Sequence, residues 1–313
     1  MSTKRALEYD LQSSTLVPTV KENVQIPHIS RPLLRGFQWF VARYLKKSFH
    51  AVAVNREQLM QVMKAEGESI GPDDALVIYA NHASWWDPLA AIFAAQKFFG
   101  DFVMYAPIDA DALRKYPMFG RMGFFGVEQQ SRRGAEEFLR VAEGILRRPG
   151  VSLWVTPEGR FVDVRDTSAP LMPGLAHLAR KLSVPRALCA PADDRSQDGN
   201  SQSRRVWFIP VAVEYTFWEE RQPELLMWFG RPWSTGSMQG KAKPELDREL
   251  TERLRIAQNE LASAVVSRDA ARFDILLGGR SGSFFVYDWW RKSLGRIRGR
   301  RVQVEHGQKL NEP

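Results

Sequence analysis

The sequence feature that most constrains the fold is a repeated alternation of short apolar runs with longer segments of helical periodicity. Residues 75–80 (ALVIYA) contain no charged side chain, which is typical of a strand buried on both faces of a sheet. Further strands are predicted at 102–105, 123–127, 151–156, 206–213 and 225–229, and helices at 33–49, 57–64, 90–99, 134–146, 174–182 and 246–265. Strands that alternate with helices favour parallel pairing. The predicted fold class is therefore α/β, a single domain with a mostly parallel sheet flanked by helices and an N-terminal amphipathic helix.

Composition and patterning divide the chain into four predicted segments. Residues 1–30 are expected to form a loosely ordered N-terminal arm, 31–66 amphipathic N-terminal helices, 67–268 the α/β domain and 269–313 a basic, aromatic C-terminal tail. Within the domain, the polar run at 192–205 is predicted to be a surface loop. A content of 44% apolar and 26% charged residues excludes disordered and fibrous proteins.

Other classes of protein and site are excluded by what the sequence lacks. No stretch reaches the roughly 18 to 20 apolar residues that a membrane-spanning helix requires, and the first 30 residues lack the apolar block of a secretory signal. The single cysteine, Cys189, excludes a disulfide framework. The five histidines, at positions 28, 50, 82, 177 and 306, lack metal-ligand spacing, so neither a metal nor a cofactor is predicted.

Positive charge is concentrated in two windows that also carry large apolar side chains. The formal net charge is +8; residues 31–50 hold five Lys or Arg and residues 289–304 hold six, with no acidic residue in either window. Their aromatic residues include Trp39, Phe40, Tyr44, Trp289 and Trp290. This mixture predicts contact with an anionic membrane surface. Ordinary surface helices with solvated cations are the main alternative, and no nucleic-acid partner is predicted because no nucleic-acid-binding motif accompanies the charge.

A histidine and an aspartate follow the predicted strand at 75–80. His82 comes directly after the strand, and Asp87 lies five residues later in Ala-Asn-His-Ala-Ser-Trp-Trp-Asp-Pro. The carboxyl end of a strand is where open α/β sheets bind ligands, so His82 is a candidate general base whose other ring nitrogen donates to Asp87. A structural alternative exists, because Ser84 with Asp87 three residues on also forms a helix-capping pattern.

Two further segments follow this block in a specific order. Residues 153–161 (LWVTPEGRF) run from a predicted strand into a turn with a carboxylate and a cation, and residues 208–213 (FIPVAV) place a proline in an apolar setting. Together with the Asn-His-x-Ser-x-x-Asp block at 81–87, these segments resemble the lysophospholipid and glycerol-phosphate acyltransferase superfamily. The resemblance covers roughly residues 75–215 and is specific as a set of motifs.

The resemblance implies a glycerol-3-phosphate acyltransferase-like fold and a reaction. A fatty acyl group would move from a coenzyme A or acyl-carrier-protein thioester, as co-substrate, to a hydroxyl of a lysophospholipid or related lipid acceptor. His82 is then the catalytic base and Asp87 orients it. The implied substrate-binding residues are Asn81, Ser84, Glu158, Gly159, Arg160 and Arg132. Because such thioesters are made in the cytosol, the implied location is the cytoplasmic face of a membrane.

The sequence departs from the family pattern at two positions. Glu128 stands where the family has an Arg that contacts the phosphate of the acceptor, and Phe161 stands where the Glu motif has its Arg. Phosphate is bound best by a charge-assisted, bidentate partner, so both changes weaken the case for a phosphate-bearing acceptor. Arg132, Arg160 or Arg165 either restores the charge from a shifted position or is a solvated surface residue.

Three alternatives to this function stay open on the sequence. The acceptor is a non-phosphate molecule such as a glycolipid, another lipid alcohol or an amine; the protein is a non-catalytic, membrane-binding member of the fold; or water is the acceptor and the protein is a thioesterase. In the same way, Trp85 and Trp86 either wall an acyl-chain groove or pack in the core.

Overall fold

The protein forms one mixed sheet with helices on both faces, in a computed structural model that describes residues 25–55, 70–129, 131–184 and 205–278. The helices are α1 (Arg31–Ser48), α2 (Asp87–Phe98), α3 (Ala110–Lys115), α4 (Arg132–Leu146), α5 (Gly174–Ser183) and α6 (Lys243–Ser267). The strands are β1 (Ala51–Asn55), β2 (Ala75–Ala80), β3 (Val103–Asp109), β4 (Phe124–Val127), β5 (Val151–Val155), β6 (Val206–Thr216), β7 (Glu224–Phe229), β8 (Trp233–Ser234) and β9 (Phe273–Gly278). Short 3-10 helices lie at Pro117–Met122 and Ala270–Arg272.

The strand order places β2 in the middle of the sheet. The order is β4-β3-β5-β2-β6-β7-β1-β9, and β8 pairs with β6. β2 is parallel to both neighbours, whereas β6 is antiparallel to β7 and β8, and β1 is antiparallel to β9. The last residue of β2, Ala80, pairs with Val211, and β6 continues from there to Thr216. The loop that follows β2 therefore lies beside the second half of β6.

Both faces of β2 are buried, which explains its continuous apolar sequence. Leu76 and Ile78 belong to the apolar layer that contains α1 and α2, whereas Val77 and Tyr79 belong to the layer that contains α4, α5 and α6. Successive side chains of a strand point to opposite faces, so a strand covered on both sides has no polar position. The same double burial makes the end of β2 the first point at which polar residues are reached.

The predicted α/β class and mostly parallel sheet are confirmed. Each predicted strand and helix that falls in the described residues is present, with its ends shifted by a few residues. The predicted helix at 57–64, the basic window at 289–304, residues 1–24 of the N-terminal arm and all but the last residue of the polar loop at 192–205 lie outside the described residues. Within the described ranges, no helix has both the length and the apolar character needed to cross a membrane.

Three strands of the sheet were not predicted: β1, the two-residue β8 and β9. β1 falls in the segment assigned to N-terminal helices and β9 in the segment assigned to the tail, so residues 51–55 are strand rather than helix. β1 is held by parallel pairing with β7 and antiparallel pairing with β9, both distant in the chain, and a local pattern does not show such pairing. The sheet thus extends past the predicted limits at 67 and 268, which stay predictions as domain boundaries.

Candidate active site

The chain leaves β2 at a point fixed by the side chain of Asn81. This buried amide donates from Nδ2 to the Val213 carbonyl (3.0 Å) and accepts the Val213 N–H at Oδ1 (2.7 Å). Both hydrogen bonds continue the pairing of β2 with β6 beyond the last strand residue and give the Val213 N–H and carbonyl a partner there. His82 therefore emerges at the carboxyl end of the central strand, the edge at which α/β sheets bind ligands.

His82 contacts Asp87, as their spacing predicted. His82 Nδ1 lies 2.7 Å from Oδ2 of the buried Asp87, while the His82 side chain is 20% exposed. The Asp87 carboxylate accepts two further hydrogen bonds. The Ser84 N–H donates to Oδ2 (3.0 Å), and the Tyr215 hydroxyl donates to Oδ1 (2.6 Å).

The partners of Asp87 decide which nitrogen of His82 carries the proton. Burial first, and then the charge and hydrogen bond of Asp87, raise the pKa of the Tyr215 hydroxyl well above its usual value, so this hydroxyl stays a donor. With Ser84 and Tyr215 both donating, Asp87 is also the acceptor of its contact with His82. The proton is thus assigned to Nδ1, and Nε2 carries the lone pair of the neutral ring. This is the arrangement of a general base oriented by a carboxylate.

The capping alternative is realised only in part. Asp87 accepts the Ser84 N–H, which is the backbone half of a capping box. However, α2 begins at Asp87 with Trp86 in the N-cap position, and the Ser84 hydroxyl accepts only a long hydrogen bond (3.4 Å) from the Trp86 N–H. Ser84 therefore supports the carboxylate through its backbone and does not cap the helix.

A second buried carboxylate, Glu158, holds the backbone of His82. Glu158 Oε2 accepts the His82 N–H (2.7 Å), and Oε1 accepts from Nη1 of Arg255 on α6 (3.1 Å). The two side chains are 1% and 11% exposed, and Arg255 also donates to the Ala169 carbonyl and to Gln258. The Val162 N–H donates to the His82 carbonyl (2.8 Å). The loop after β5 thus fixes the His82 peptide from both sides.

The same loop places an aromatic ring against the imidazole. Gly159 has a φ of +65°, and a Cβ there would lie 2.3 Å from Sδ of Met172, so the turn requires glycine. Arg160 follows as an exposed residue. The ring of Phe161 then lies 4.5 Å from the His82 ring, centroid to centroid, and Phe161 is 58% exposed.

The remaining predicted cations are placed differently from one another. Arg132 is the first residue of α4, which follows β4, and β4 is three strands away from β2 in the sheet. The exposed guanidinium of Arg132 pairs with Glu136 (3.0 Å). Arg165 forms a fork to both oxygens of Asp163 (2.8 and 2.7 Å), and these hydrogen bonds hold the pKa of Asp163 at about 2. Of the predicted substrate-binding residues, Asn81, Ser84, Glu158, Gly159 and Arg160 surround His82 in the fold or adjoin residues that do, whereas Arg132 does not. Their binding of substrate stays a prediction.

The two tryptophans of the His motif differ in environment. Trp86 is partly buried and packs on Tyr44 (5.2 Å) and Phe49 (4.9 Å), as the core-packing alternative predicted. Trp85 stacks on Trp86 (4.4 Å) and is exposed over more than half of its surface. The turn that carries the catalytic candidates therefore presents an apolar ring to solvent.

Two residues of this constellation were missed from the sequence. Tyr215 and Arg255 contact Asp87 and Glu158 from β6 and α6, which lie far along the chain. No spacing rule links them to the motifs, because their approach depends on the strand order and on which helix covers the sheet.

One of the comparisons with known proteins identifies a family. A family model described as Acyltransferase matches residues 54–213. A search of curated protein sequences finds no significant match. Among solved structures, the chain is similar to the crystal structure of the 1-acyl-sn-glycerophosphate (LPA) acyltransferase, PlsC, from Thermotoga maritima, with 17% identity, a TM-score of 0.45 and coverage of 74% of this chain and 80% of that chain.

Removing the arginine that neutralises Glu158 is expected to destabilise the fold. Arg255→Met leaves a buried carboxylate without its charge partner, and the expected loss is about 3 to 5 kcal/mol in the free energy of unfolding measured with urea. The control is Arg248→Met, an exposed residue of the same helix, with an expected change within about 0.5 kcal/mol.

The double variant Glu158→Gln/Arg255→Met separates the ion pair from packing. Since the amide needs no counter-charge and still accepts the His82 N–H, the double variant is expected to lose less than the sum of the single losses, by about 1 to 3 kcal/mol. Strictly additive losses would contradict the assignment of a coupled pair.

Proposed function

Because this chain belongs to the acyltransferase family, we propose that it transfers a fatty acyl group from an acyl-CoA or acyl-carrier-protein thioester to a hydroxyl of a lysophospholipid or related lipid acceptor at a membrane surface. The observation that carries this proposal is the contact of His82 Nδ1 with Asp87 at 2.7 Å, which leaves Nε2 free to accept a proton. The thioester is a co-substrate, and the reaction requires no further cofactor. Among the described residues, no three His, Cys, Asp or Glu side chains are grouped as metal ligands.

The proposed reaction needs one base and one oriented acceptor. Nε2 of His82 takes the proton of the acceptor hydroxyl as its oxygen attacks the thioester carbonyl carbon, forming the new C–O bond. Asp87 stabilises the imidazolium that results. The tetrahedral intermediate then collapses, the C–S bond breaks, and the imidazolium proton passes to the leaving thiolate. The products are an ester and a free thiol, and His82 returns to its starting state.

The hydrogen bonds around His82 hold this base in a defined position. Glu158 and Val162 fix its backbone, and Asp87 fixes its ring. A reacting group that is held in place before substrate binds avoids an entropic cost in the transition state. We therefore assign positioning roles to Glu158 and to Tyr215, which acts through Asp87.

The surface of α1 supports the membrane part of the proposal. Trp39 is 65% exposed, Phe40 beside it is about half exposed, and the Arg43 guanidinium lies 5.1 Å above the Trp39 ring. Lys46 and Lys47 are exposed near the end of the same helix. Aromatic rings bordered by cations favour the headgroup region of an anionic bilayer. We propose that the protein is peripheral, on the cytoplasmic face of a membrane.

The catalytic assignment predicts a specific loss of transfer. His82→Ala removes the base, and acceptor-dependent release of thiol from a long-chain acyl-CoA is expected to fall at least about 1000-fold with folding unchanged by circular dichroism. His177→Ala, which removes an exposed histidine of α5, is the matched control and is expected to keep wild-type activity. Full transfer by His82→Ala would refute the role of this residue, and free fatty acid without acylated product would indicate a thioesterase.

The membrane assignment predicts weaker binding to anionic vesicles when the aromatic surface is removed. Trp39→Ser/Phe40→Ser is expected to reduce sedimentation with vesicles of phosphatidylglycerol and phosphatidylcholine about tenfold or more, because two rings no longer insert at the headgroup level. The control is Val266→Ser, an exposed apolar residue at the end of α6. Equal binding by the double variant and the wild type would contradict this docking surface.

A further inference from the structure

The group that contacts His82 from the solvent side is apolar. Phe161 places its ring 4.5 Å from the imidazole ring and remains largely exposed. Its position is fixed by the backbone, since the next residue, Val162, donates its N–H to the His82 carbonyl and is itself buried. An aromatic ring held beside the base and left in water is apolar surface available to a bound substrate.

Two of the three arginines that belong to this loop or contact it, Arg165 and Arg255, are bound to carboxylates. Arg255 is bound to Glu158 in the interior, and Arg165 is committed to Asp163 through its fork. Arg160 is exposed, and its charge, after the hydrogen bonds of Ser168, contributes to lowering the pKa of the Asp166 carboxyl. The half-buried Glu214 adds a further carboxyl, whose pKa is raised chiefly by burial.

The two arginines that are paired with carboxylates are unsuited to binding a phosphate monoester. A doubly charged phosphate is held by cationic donors that are free to form charge-assisted, bidentate hydrogen bonds. To bind Arg165 or Arg255, such an anion would have to displace a carboxylate, and the surface directly beside the base is the ring of Phe161. An uncharged group placed against that ring loses no ionic hydration and covers exposed apolar surface.

Resting on the proposed acyl transfer, we propose that the acceptor is one of the related lipids rather than a lysophospholipid: an uncharged lipid that bears a free hydroxyl. Phe161 determines this specificity by packing against the acceptor beside His82. The oxygen of that hydroxyl attacks the thioester, and the uncharged backbone or sugar next to it lies on the aromatic ring. Phosphate monoesters are disfavoured because the surface directly beside the base is an apolar ring and because Arg165 and Arg255 are held by carboxylates.

The test compares two acceptors that differ only in the phosphate: 1-oleoylglycerol and 1-oleoyl-glycerol 3-phosphate, each with the same acyl-CoA in mixed micelles. The wild type is expected to show a kcat/KM at least about tenfold higher with oleoylglycerol. Phe161→Ala is expected to raise the KM for oleoylglycerol about tenfold while kcat changes less than about threefold. Phe161→Arg is expected to shift the preference toward the phosphorylated acceptor.

A control variant and the contrary results complete this test. Phe217→Ala removes a phenylalanine of similar exposure (63%) after β6 and is expected to leave both KM values unchanged. A wild-type preference for the phosphorylated acceptor, or an unaltered preference in Phe161→Arg, overturns this inference and leaves the acyltransferase proposal intact. Failure of the wild type to acylate either acceptor overturns both.

Discussion

The carboxylate of Asp87 is the point on which the architecture of the site depends. It is buried, and it accepts hydrogen bonds from the His82 ring, the Ser84 backbone and the Tyr215 hydroxyl. A buried charge is tolerated only when its hydrogen-bonding capacity is satisfied, so these three donors must come together whenever the protein folds. They belong to the loop after β2 and to β6. The site is therefore built by the same strand pairing that builds the sheet.

Glu158 imposes a second constraint from the opposite side. Its oxygens join the backbone of His82 to Arg255 on α6, so a helix that covers one face of the sheet helps to hold a loop at the strand ends. Asp87 fixes the orientation of the His82 ring, and Glu158 fixes the main chain of the same residue. Two buried carboxylates thus restrict the base more tightly than either does alone.

The parts of this arrangement that follow from the sequence are local. The apolar run of β2 predicted a buried strand, and the spacing of His82 and Asp87, together with the segments at 153–161 and 208–213, predicted their contact. Glu158 is brought to His82 because β5 and β2 are parallel neighbours. The helix–strand alternation predicted a mostly parallel sheet, but not which strands are neighbours. Tyr215 and Arg255 could not be found in this way. The first depends on how far β6 runs past β2, and the second on the rotation of α6 about its axis.

The structure also distinguishes residues that the sequence treated alike. Arg132, Arg160 and Arg165 were equivalent candidates for an acceptor contact, but Arg132 follows a strand three positions away from β2 and Arg165 is committed to Asp163. Phe161, by contrast, is recognised as a neighbour of the base only from the contact of its ring with His82.

The most direct test of the central claim is the tautomer of His82, observed by NMR of the 15N-histidine-labelled protein at a pH where the ring is neutral. The signal is assigned by its loss in His82→Gln. A proton on Nδ1 that is lost from this position in Asp87→Asn is the predicted result, and a proton on Nε2 in the wild type would contradict it.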